Sequence, residues 1–270
     1  MTPASPRARG PSCRARLRGG IVLAWSAASM VVFFLASLPS MLITGGAGRS
    51  LWMARRLWSP SALRLSGVRL EVLREGALPA GPAIYAANHE SALDVFALVV
   101  AVPGDLRFLA KRELFRIPVF GWYLRLAGFV EVDRRDRARA LASLRRAAAQ
   151  VRAGTSLAVF PEGTRSRDGR VHPFKKGPFV LALEAGVPVV PIAIVGAGAV
   201  TPKNHVEVHP GPIRVILGEP VDPASHPDRD GLLREVRRRI IAMHRAHGGL
   251  GGDEEDAIAA LGVEGSSRRG

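Results

Sequence analysis

Cysteine is nearly missing from this chain of 270 residues, since the only one is Cys13, in an arginine-rich N-terminal segment. A single cysteine excludes an internal disulfide, and it argues against a cysteine-ligated zinc site or a buried thiol nucleophile. The sequence also has no Gly-x-Ser-x-Gly motif, which argues against a serine nucleophile of the α/β-hydrolase kind. Catalysis by this chain would therefore depend on other groups.

Lysine and aromatic residues are also few. Lysine occurs at four positions, so 34 of the 38 basic residues are arginine, and the formal net charge is +15. Such a balance suits the phosphates of nucleic acid or of an anionic lipid surface. Aromatic residues make up only 6% of the chain, and the arginines are spread along it rather than interleaved with aromatics on one platform. We therefore expect an anionic membrane surface and no nucleic acid as a partner. A membrane-tethered nucleic-acid-binding protein is the alternative of a different class.

One hydrophobic run stands out, because residues 21–43 carry no charge. That length can cross a hydrocarbon core and exceeds the usual core of a signal peptide. Arginines flank both sides, so the positive-inside rule gives no orientation. Pro39 and the amphipathic stretch at 51–58 are also compatible with a hairpin that enters one leaflet. We expect membrane attachment, with a spanning and a re-entrant anchor both open.

Beyond the hydrophobic run, short apolar runs alternate with segments of helical period. Strands are predicted at 83–87, 107–110, 129–132, 156–160, 187–195 and 214–217, and helices at 92–102, 135–152, 179–185 and 232–244. This alternation predicts an α/β fold, with a mixed, mostly parallel sheet flanked by helices and an N-terminal membrane-anchoring helical segment. Pro188 and Pro191 predict an edge or interrupted strand at 187–195.

The composition divides the chain into three regions. Residues 1–58 form a basic arm and membrane-anchoring segment, residues 59–247 form the main domain, and the glycine-rich residues 248–270 are expected to be a disordered tail.

The stretch AANHESALD joins a predicted strand to a predicted helix. The strand ends near Asn88, so His89 lies at the carboxyl end of a strand, where open α/β sheets bind their ligands. Ser91 and Asp94 resemble a capping box at the start of the helix. From the first helical turn, Asp94 can also reach back to His89, fix its tautomer and leave its second ring nitrogen as a general base.

Two further stretches follow predicted strands. In FPEGTRS, Pro161 and Gly163 favour a tight turn, Thr164 can donate to an anion, and Arg165 offers a planar fork for a phosphate. A plain surface turn would have the same composition.

The stretch KRELFRIPVFG, at 111–121, combines the cations Lys111 and Arg112 with apolar residues and a turn that contains Pro118 and Gly121. Such a combination suits an amphiphile with an anionic head, although a solvated loop is an alternative.

Together with the segment VPVVP at 187–191, these stretches resemble, in order and spacing, the four sequence blocks of the 1-acylglycerol-3-phosphate acyltransferase family. The resemblance covers about residues 83–195, and four ordered blocks are far more specific than one motif. It implies a membrane-associated α/β fold in which residues 59–247 are the acyltransferase domain.

The resemblance also implies the chemistry. His89 would be the general base on the acceptor hydroxyl, Asp94 would orient it, and Pro191 would shape the site. The residues implied to bind the acceptor phosphate are Lys111, Arg112, Glu162, Gly163, Thr164 and Arg165. The reaction would move an acyl group from acyl-CoA or acyl carrier protein to the sn-2 hydroxyl of 1-acylglycerol 3-phosphate, a membrane lipid. Another lysophospholipid or lyso-ornithine lipid is the alternative acceptor.

The sequence supports three further expectations, about cofactors, metal binding and location. The acyl-CoA or carrier protein is a co-substrate, so no cofactor is expected. His205, Glu207 and His209 would share one face of a strand, but without a further ligand cluster we expect no metal site. Because the acyl donors are cytosolic, the catalytic domain is expected on the cytoplasmic face of the membrane.

Overall fold

The structure, a computed structural model, describes residues 12–44, 47–132, 137–226 and 228–253. Its helices are α1 (Cys13–Thr44), α2 (Gly48–Met53), α3 (Ser59–Leu65), α4 (Leu93–Ala101), α5 (Phe120–Leu126), α6 (Arg137–Arg152), α7 (Gly177–Ala185), α8 (Ala197–Val200) and α9 (Arg229–Ala246). Its strands are β1 (Val68–Arg74), β2 (Ile84–Ala87), β3 (Leu106–Lys111), β4 (Val130–Val132), β5 (Ser156–Val159), β6 (Val189–Val195) and β7 (Gly211–Leu217). A π-helical turn (Ala54–Trp58) joins α2 to α3, and 3-10 turns lie at Arg112–Arg116 and Pro223–Ser225.

The strands form one sheet in the order β1-β7-β6-β2-β5-β3-β4. Strand β2 pairs in parallel with β6 and β5, and β3 pairs in parallel with β5 and β4. Strand β7 runs antiparallel to β6 and parallel to β1. The predicted mixed, mostly parallel sheet is therefore confirmed, and the carboxyl ends of β6, β2, β5 and β3 meet at one edge.

Apolar side chains fill both faces of the sheet, as expected when helices cover both sides of parallel strands. On one face α6, α7 and α9 contribute the fully buried Val151, Phe179 and Ile240. On the other face α3 and α4 contribute Leu63 and Leu98. Helix α7 ends at Gly186, whose φ of +66° favours glycine, and so it stops where the sequence predicts.

The prediction of an edge strand at 187–195 is wrong, whereas its alternative, an interrupted strand, is confirmed on the β7 side. Strand β6 lies inside the sheet, and all seven of its residues are buried. The carbonyl of Pro191 accepts a hydrogen bond from Gly218 (2.9 Å), so the proline nitrogen faces the β7 side. The paired register with β7 begins only at Ile192, opposite Leu217. Beyond Pro191 the pairing resumes at an isolated bridge between Val189 and Val221, so the missing N–H of Pro191 coincides with a gap in the ladder.

Strand β1 was not predicted, although Val68, Leu70 and Val72 alternate with polar residues. This strand lies at the edge of the sheet and pairs only with β7, in parallel, from Val68 opposite Gly211. Its period-two pattern could have identified it.

The N-terminal helix α1 is long and apolar enough to cross a membrane, yet it contacts the domain at two distant points. Near its start, Arg16 pairs with Glu207 (3.0 Å). About 27 Å further along the axis, at 1.5 Å per residue, the ring of Phe34 packs edge-on against Tyr123. The helix therefore lies along the domain. Several of its apolar side chains are exposed, namely Ile21, Leu23, Trp25, Val32 and Leu35.

Two other predictions concern partly described segments. The helix predicted at 135–152 corresponds to α6, and its first two residues lie outside the described part of the chain. The tail predicted to be disordered from Gly248 is ordered at its start, because Gly251 donates to His244 Nδ1 (2.9 Å) and accepts from Val171 (2.8 Å). The remainder of the predicted tail, residues 254–270, lies outside the described residues.

Candidate active site

His89 and Asp94 lie on the loop and first helical turn that join β2 to α4. The Nδ1 atom of His89 is 2.7 Å from Oδ2 of Asp94, whose side chain is fully buried. The same carboxylate oxygen accepts the backbone N–H groups of Glu90 (2.7 Å) and Ser91 (2.8 Å). The hydroxyl of Ser91 accepts the N–H of Leu93 (3.2 Å), so only part of the expected capping box forms, and Ala92 is the N-cap residue of α4. Asp94 thus holds both the turn before the helix and the imidazole.

This arrangement fixes the state of the His89 ring. A carboxylate that already accepts two N–H groups is an acceptor, so Nδ1 of His89 carries the hydrogen and Nε2 presents its lone pair. The ring stacks on Phe160, with centroids 3.9 Å apart and planes 16° apart. The His89 side chain is 17% exposed, so its outer edge is accessible to a ligand.

The FPEGTRS loop follows β5, the neighbour of β2, and is bonded directly to the His89 loop. The backbone N–H of His89 donates to Oε1 of Glu162 (2.8 Å), and the N–H of Ser166 donates to the carbonyl of His89 (2.6 Å). The turn uses Gly163 at φ +75°, a conformation that favours glycine. Thr164 is exposed and Arg165 is half-buried on this loop.

The third predicted stretch follows β3, which pairs with β5 on the side away from β2. Lys111 ends the strand and is exposed. Arg112 begins the 3-10 turn and pairs with Glu131 through its Nε atom (3.4 Å). The base and the cations therefore leave three adjacent parallel strands at the same edge, which is where open α/β sheets bind ligands.

Comparison with known proteins agrees with this geometry. The profile of the family described as Acyltransferase matches residues 69–195. A chloroplastic 1-acyl-sn-glycerol-3-phosphate acyltransferase of Brassica napus is 39% identical over 160 residues, which are 59% of this chain and 45% of that protein. The chain thus spans less than half the length of this plant relative.

A bacterial relative is matched over most of its length. The 1-acyl-sn-glycerol-3-phosphate acyltransferase of Pseudomonas aeruginosa is 33% identical over 194 residues, which are 71% of this chain and 72% of that protein. This chain belongs to the 1-acyl-sn-glycerol-3-phosphate acyltransferase family. The crystal structure of the family member PlsC from Thermotoga maritima is similar with a TM-score of 0.62 and 28% identity, over 79% of this chain and 92% of that one.

Asn88 joins the reactive loop, which lies between β2 and α4, to the neighbouring strand. Its amide donates to the carbonyl of Ile194 (2.8 Å) and accepts the N–H of Ile194 (2.7 Å). The side chain therefore pairs with β6 where the backbone of β2 turns away from the sheet. Pro161 supports the other loop, since its carbonyl accepts the N–H of Lys175 (2.9 Å).

The turn that contains Pro118 and Gly121 is closely packed. The carbonyl of Pro118 accepts the N–H of Phe120 (2.7 Å). A Cβ atom on Gly121 would lie 2.1 Å from the carbonyl oxygen of Phe115, so a larger residue cannot fit without moving the backbone. The packing holds the third loop, which follows β3, against α5.

The structure contradicts the expectation that Glu162 contacts the acceptor phosphate. Its side chain is buried, and its oxygens accept the N–H groups of His89 (2.8 Å) and His172 (3.2 Å). Burial raises the pKa of Glu162 to about 8, against the lowering effect of these two N–H groups. Because both carboxyl oxygens are buried and directed to backbone N–H groups, Glu162 connects the His89 loop to the FPEGTRS loop.

Glu90 and His244 were missed by the sequence analysis. Oε1 of Glu90 is 2.9 Å from Nε2 of His244, and Oε2 accepts the N–H of Gly198 (3.0 Å). Both side chains are buried, and burial raises the pKa of Glu90. No short motif links two residues so distant in the chain, although a histidine on the apolar face of α9 is a weak signal.

His205, Glu207 and His209 were expected on one face of a strand. They lie instead in an irregular segment before β7. Glu207 pairs with Arg16 on α1 (3.0 Å) and is 3.5 Å from His209. The carboxylate therefore attaches the N-terminal helix to the rest of the domain.

Proposed function

We propose that the protein transfers a fatty acyl group from acyl-CoA or acyl carrier protein to the sn-2 hydroxyl of 1-acylglycerol 3-phosphate, giving phosphatidic acid. The observation that carries this proposal is the 2.7 Å contact between His89 Nδ1 and the buried Asp94, within a chain of this family. The names of the Brassica and Pseudomonas relatives state the same acceptor, which supports it here.

The mechanism follows from the state of His89. Its Nε2 atom takes the proton of the acceptor hydroxyl, and the oxygen forms a bond to the thioester carbonyl carbon. The carbon–sulfur bond breaks, and the departing thiolate takes the proton from the imidazolium. Asp94 stabilises the positive charge of that imidazolium. The scheme needs no acyl-enzyme, metal or cofactor.

Binding of the acceptor phosphate supplies the positioning. The guanidinium of Arg165 is suited to bind two phosphate oxygens at once, and the Thr164 hydroxyl and the exposed Lys111 can donate to the others. Arg112 contributes positive charge beside its partner Glu131. Holding the headgroup between these loops brings the hydroxyl to Nε2 of His89, and such positioning accounts for a large part of enzymatic rate enhancement.

The protein associates with membranes through α1, and we propose that this helix lies in the interface rather than across the bilayer. Its contacts through Arg16 and Phe34 with one domain support this placement, as do the exposed apolar side chains between them. Because the acyl donors are cytosolic, we propose that the catalytic domain lies on the cytoplasmic face. In sealed vesicles of known orientation, a C-terminal tag should be digested only from that face, and protection there would contradict the placement.

The direct test is acyl transfer from a labelled long-chain donor, supplied as acyl-CoA and as acyl carrier protein, in membranes that carry the protein. Wild type should convert 1-acylglycerol 3-phosphate to phosphatidic acid. His89→Ala should lose activity by about a thousandfold or more, because the general base is removed. His226→Ala is the matched control, since this histidine lies in the turn before α9.

The same assay separates the alternative acceptors. Transfer to lyso-ornithine lipid or another lysophospholipid, but not to 1-acylglycerol 3-phosphate, would retain the chemistry and reject the acceptor. Activity unchanged in His89→Ala would reject the mechanism.

A further inference from the structure

Lys203 lies outside the sequence motifs, and its side chain contacts the FPEGTRS loop. Its Nζ atom donates to the hydroxyl of Thr164 (2.9 Å) and to the carbonyl of Arg165 (2.6 Å). Both acceptors belong to the loop that is suited to bind a phosphate. The ammonium group is therefore held against the side chain of Thr164 and the backbone of Arg165, and neither of these two partners is a carboxylate.

The topology explains how a residue so far along the chain reaches this loop. Lys203 lies in the connection from β6 to β7, beyond the carboxyl end of β6. Strand β6 is the neighbour of β2, which is the neighbour of β5. The connection thus adds a fourth segment to the edge where the loops after β2, β5 and β3 already meet.

The ammonium group has hydrogens for three bonds, and two of them are directed to the loop. The third can be directed to an anion bound at Thr164 and Arg165. A phosphomonoester has a second pKa of about 6 and carries nearly two negative charges at pH 7, whereas a phosphodiester carries one. An additional fixed cation therefore favours the monoester more strongly than the diester.

We propose that Lys203 binds the acceptor headgroup and selects a phosphomonoester dianion over a phosphodiester. This inference rests on the proposed function, because it assigns specificity at the same site. A lysine that only tied the loop in place would affect all acceptors alike, so the two roles can be separated.

The test compares Lys203→Met, which keeps much of the aliphatic chain, with Lys203→Arg, which keeps the charge. For each variant, kcat and KM are measured with 1-acylglycerol 3-phosphate and with 1-acylglycerophosphoglycerol, a phosphodiester. Lys203→Met should raise KM for the monoester about tenfold or more while kcat changes little, as expected for one lost charge-assisted hydrogen bond. The preference for monoester over diester should fall by a similar factor, and Lys203→Arg should retain most of it.

Lys176→Met controls for the loss of one positive charge, because Lys176 pairs with Asp230 on α9 (3.4 Å). This control should leave the monoester preference unchanged. Equal losses on both acceptors in Lys203→Met, or a preference that stays as in wild type, would overturn the proposal.

A binding measurement separates this proposal from the proposed function. Isothermal titration calorimetry in detergent, with glycerol 3-phosphate as the probe, measures binding and needs no acyl transfer. Wild type should bind this probe about tenfold or more tightly than Lys203→Met, even if another acceptor proves to be the substrate. Equal binding by the two proteins, or no binding to wild type, would overturn the role of Lys203.

Discussion

His244, near the end of α9, forms a buried hydrogen bond with Glu90, the residue that follows the proposed catalytic base. Nε2 of His244 lies 2.9 Å from Oε1 of Glu90, and Nδ1 accepts the N–H of Gly251 (2.9 Å). Because Nδ1 accepts a hydrogen, Nε2 carries one and donates it to the carboxylate. Helix α9 therefore holds the reactive loop through His244, and the turn after α9 holds His244 in place.

His244→Leu should destabilise the protein by roughly 2–4 kcal/mol, because the buried Glu90 carboxylate loses its short hydrogen bond at Oε1 and keeps the N–H of Gly198 at Oε2. His244→Gln, whose amide can still donate, should lose less. The matched control is His247→Leu, which breaks a partly exposed pair with Glu75 (2.9 Å) and should cost about 1 kcal/mol or less. Thermal midpoints in detergent measure all three, and equal losses for His244→Leu and His247→Leu would contradict the assigned role.

Asp94→Asn should lower kcat by about a hundredfold to ten-thousandfold while leaving the fold intact. An amide oxygen can replace Oδ2 as the acceptor of the three donors, and the amide nitrogen then takes the position of Oδ1, which has no hydrogen-bond partner among the described residues. The substitution thus removes the negative charge rather than the contact. Steady-state kinetics and the thermal midpoint check this together, and a large fall in the midpoint would mean that the loop had rearranged.

Arg165→Lys should raise KM for the acceptor by roughly tenfold, because an ammonium cannot reproduce the two parallel bonds of a guanidinium. Arg167→Lys, an exposed position on the same loop, is the control and should behave as wild type. Initial rates over a range of acceptor concentrations at fixed surface dilution give both constants. A change in kcat alone would assign Arg165 to a later step than headgroup binding.

The stability of the protein should fall as the pH rises from about 4.5 to about 8, because of Glu162. Burial raises the pKa of this carboxyl from 4.5 to about 8 in the folded protein. Within this window the folded state holds a proton that the unfolded state has released, so the free energy of unfolding declines by up to about 1.4 kcal/mol per pH unit. Thermal midpoints across this range should fall more steeply in wild type than in Glu162→Gln. Parallel profiles for the two proteins would refute the assignment.

Gly121→Ala should reduce stability by roughly 1–3 kcal/mol and lower activity, because the new methyl group meets the backbone of Phe115 at 2.1 Å. Gly81→Ala adds the same methyl group where no atom lies within 4 Å, and it should leave both properties near wild type. Thermal midpoints and acyl-transfer rates compare the pair. Equal behaviour of the two variants would show that the third loop tolerates displacement.

Local relationships in this protein are determined by sequence alone. His89 and Asp94 are five residues apart at a strand-to-helix junction, and the turn before α4 brings the carboxylate to the imidazole through contacts within residues 89–94. The alternation of apolar runs and helical periods likewise predicts the α/β class, because each period follows from the geometry of one element.

Long-range contacts were decided only by the tertiary structure. Strand order brings Lys203 to Thr164, and it buries Pro191 in an interior strand at a gap in the pairing with β7. The Glu90–His244 bond joins residues that are 154 positions apart in the chain. Spacing along a chain determines which groups share a turn or a face, whereas the pairing of strands determines which loops meet, and that pairing depends on the packing of the whole sheet.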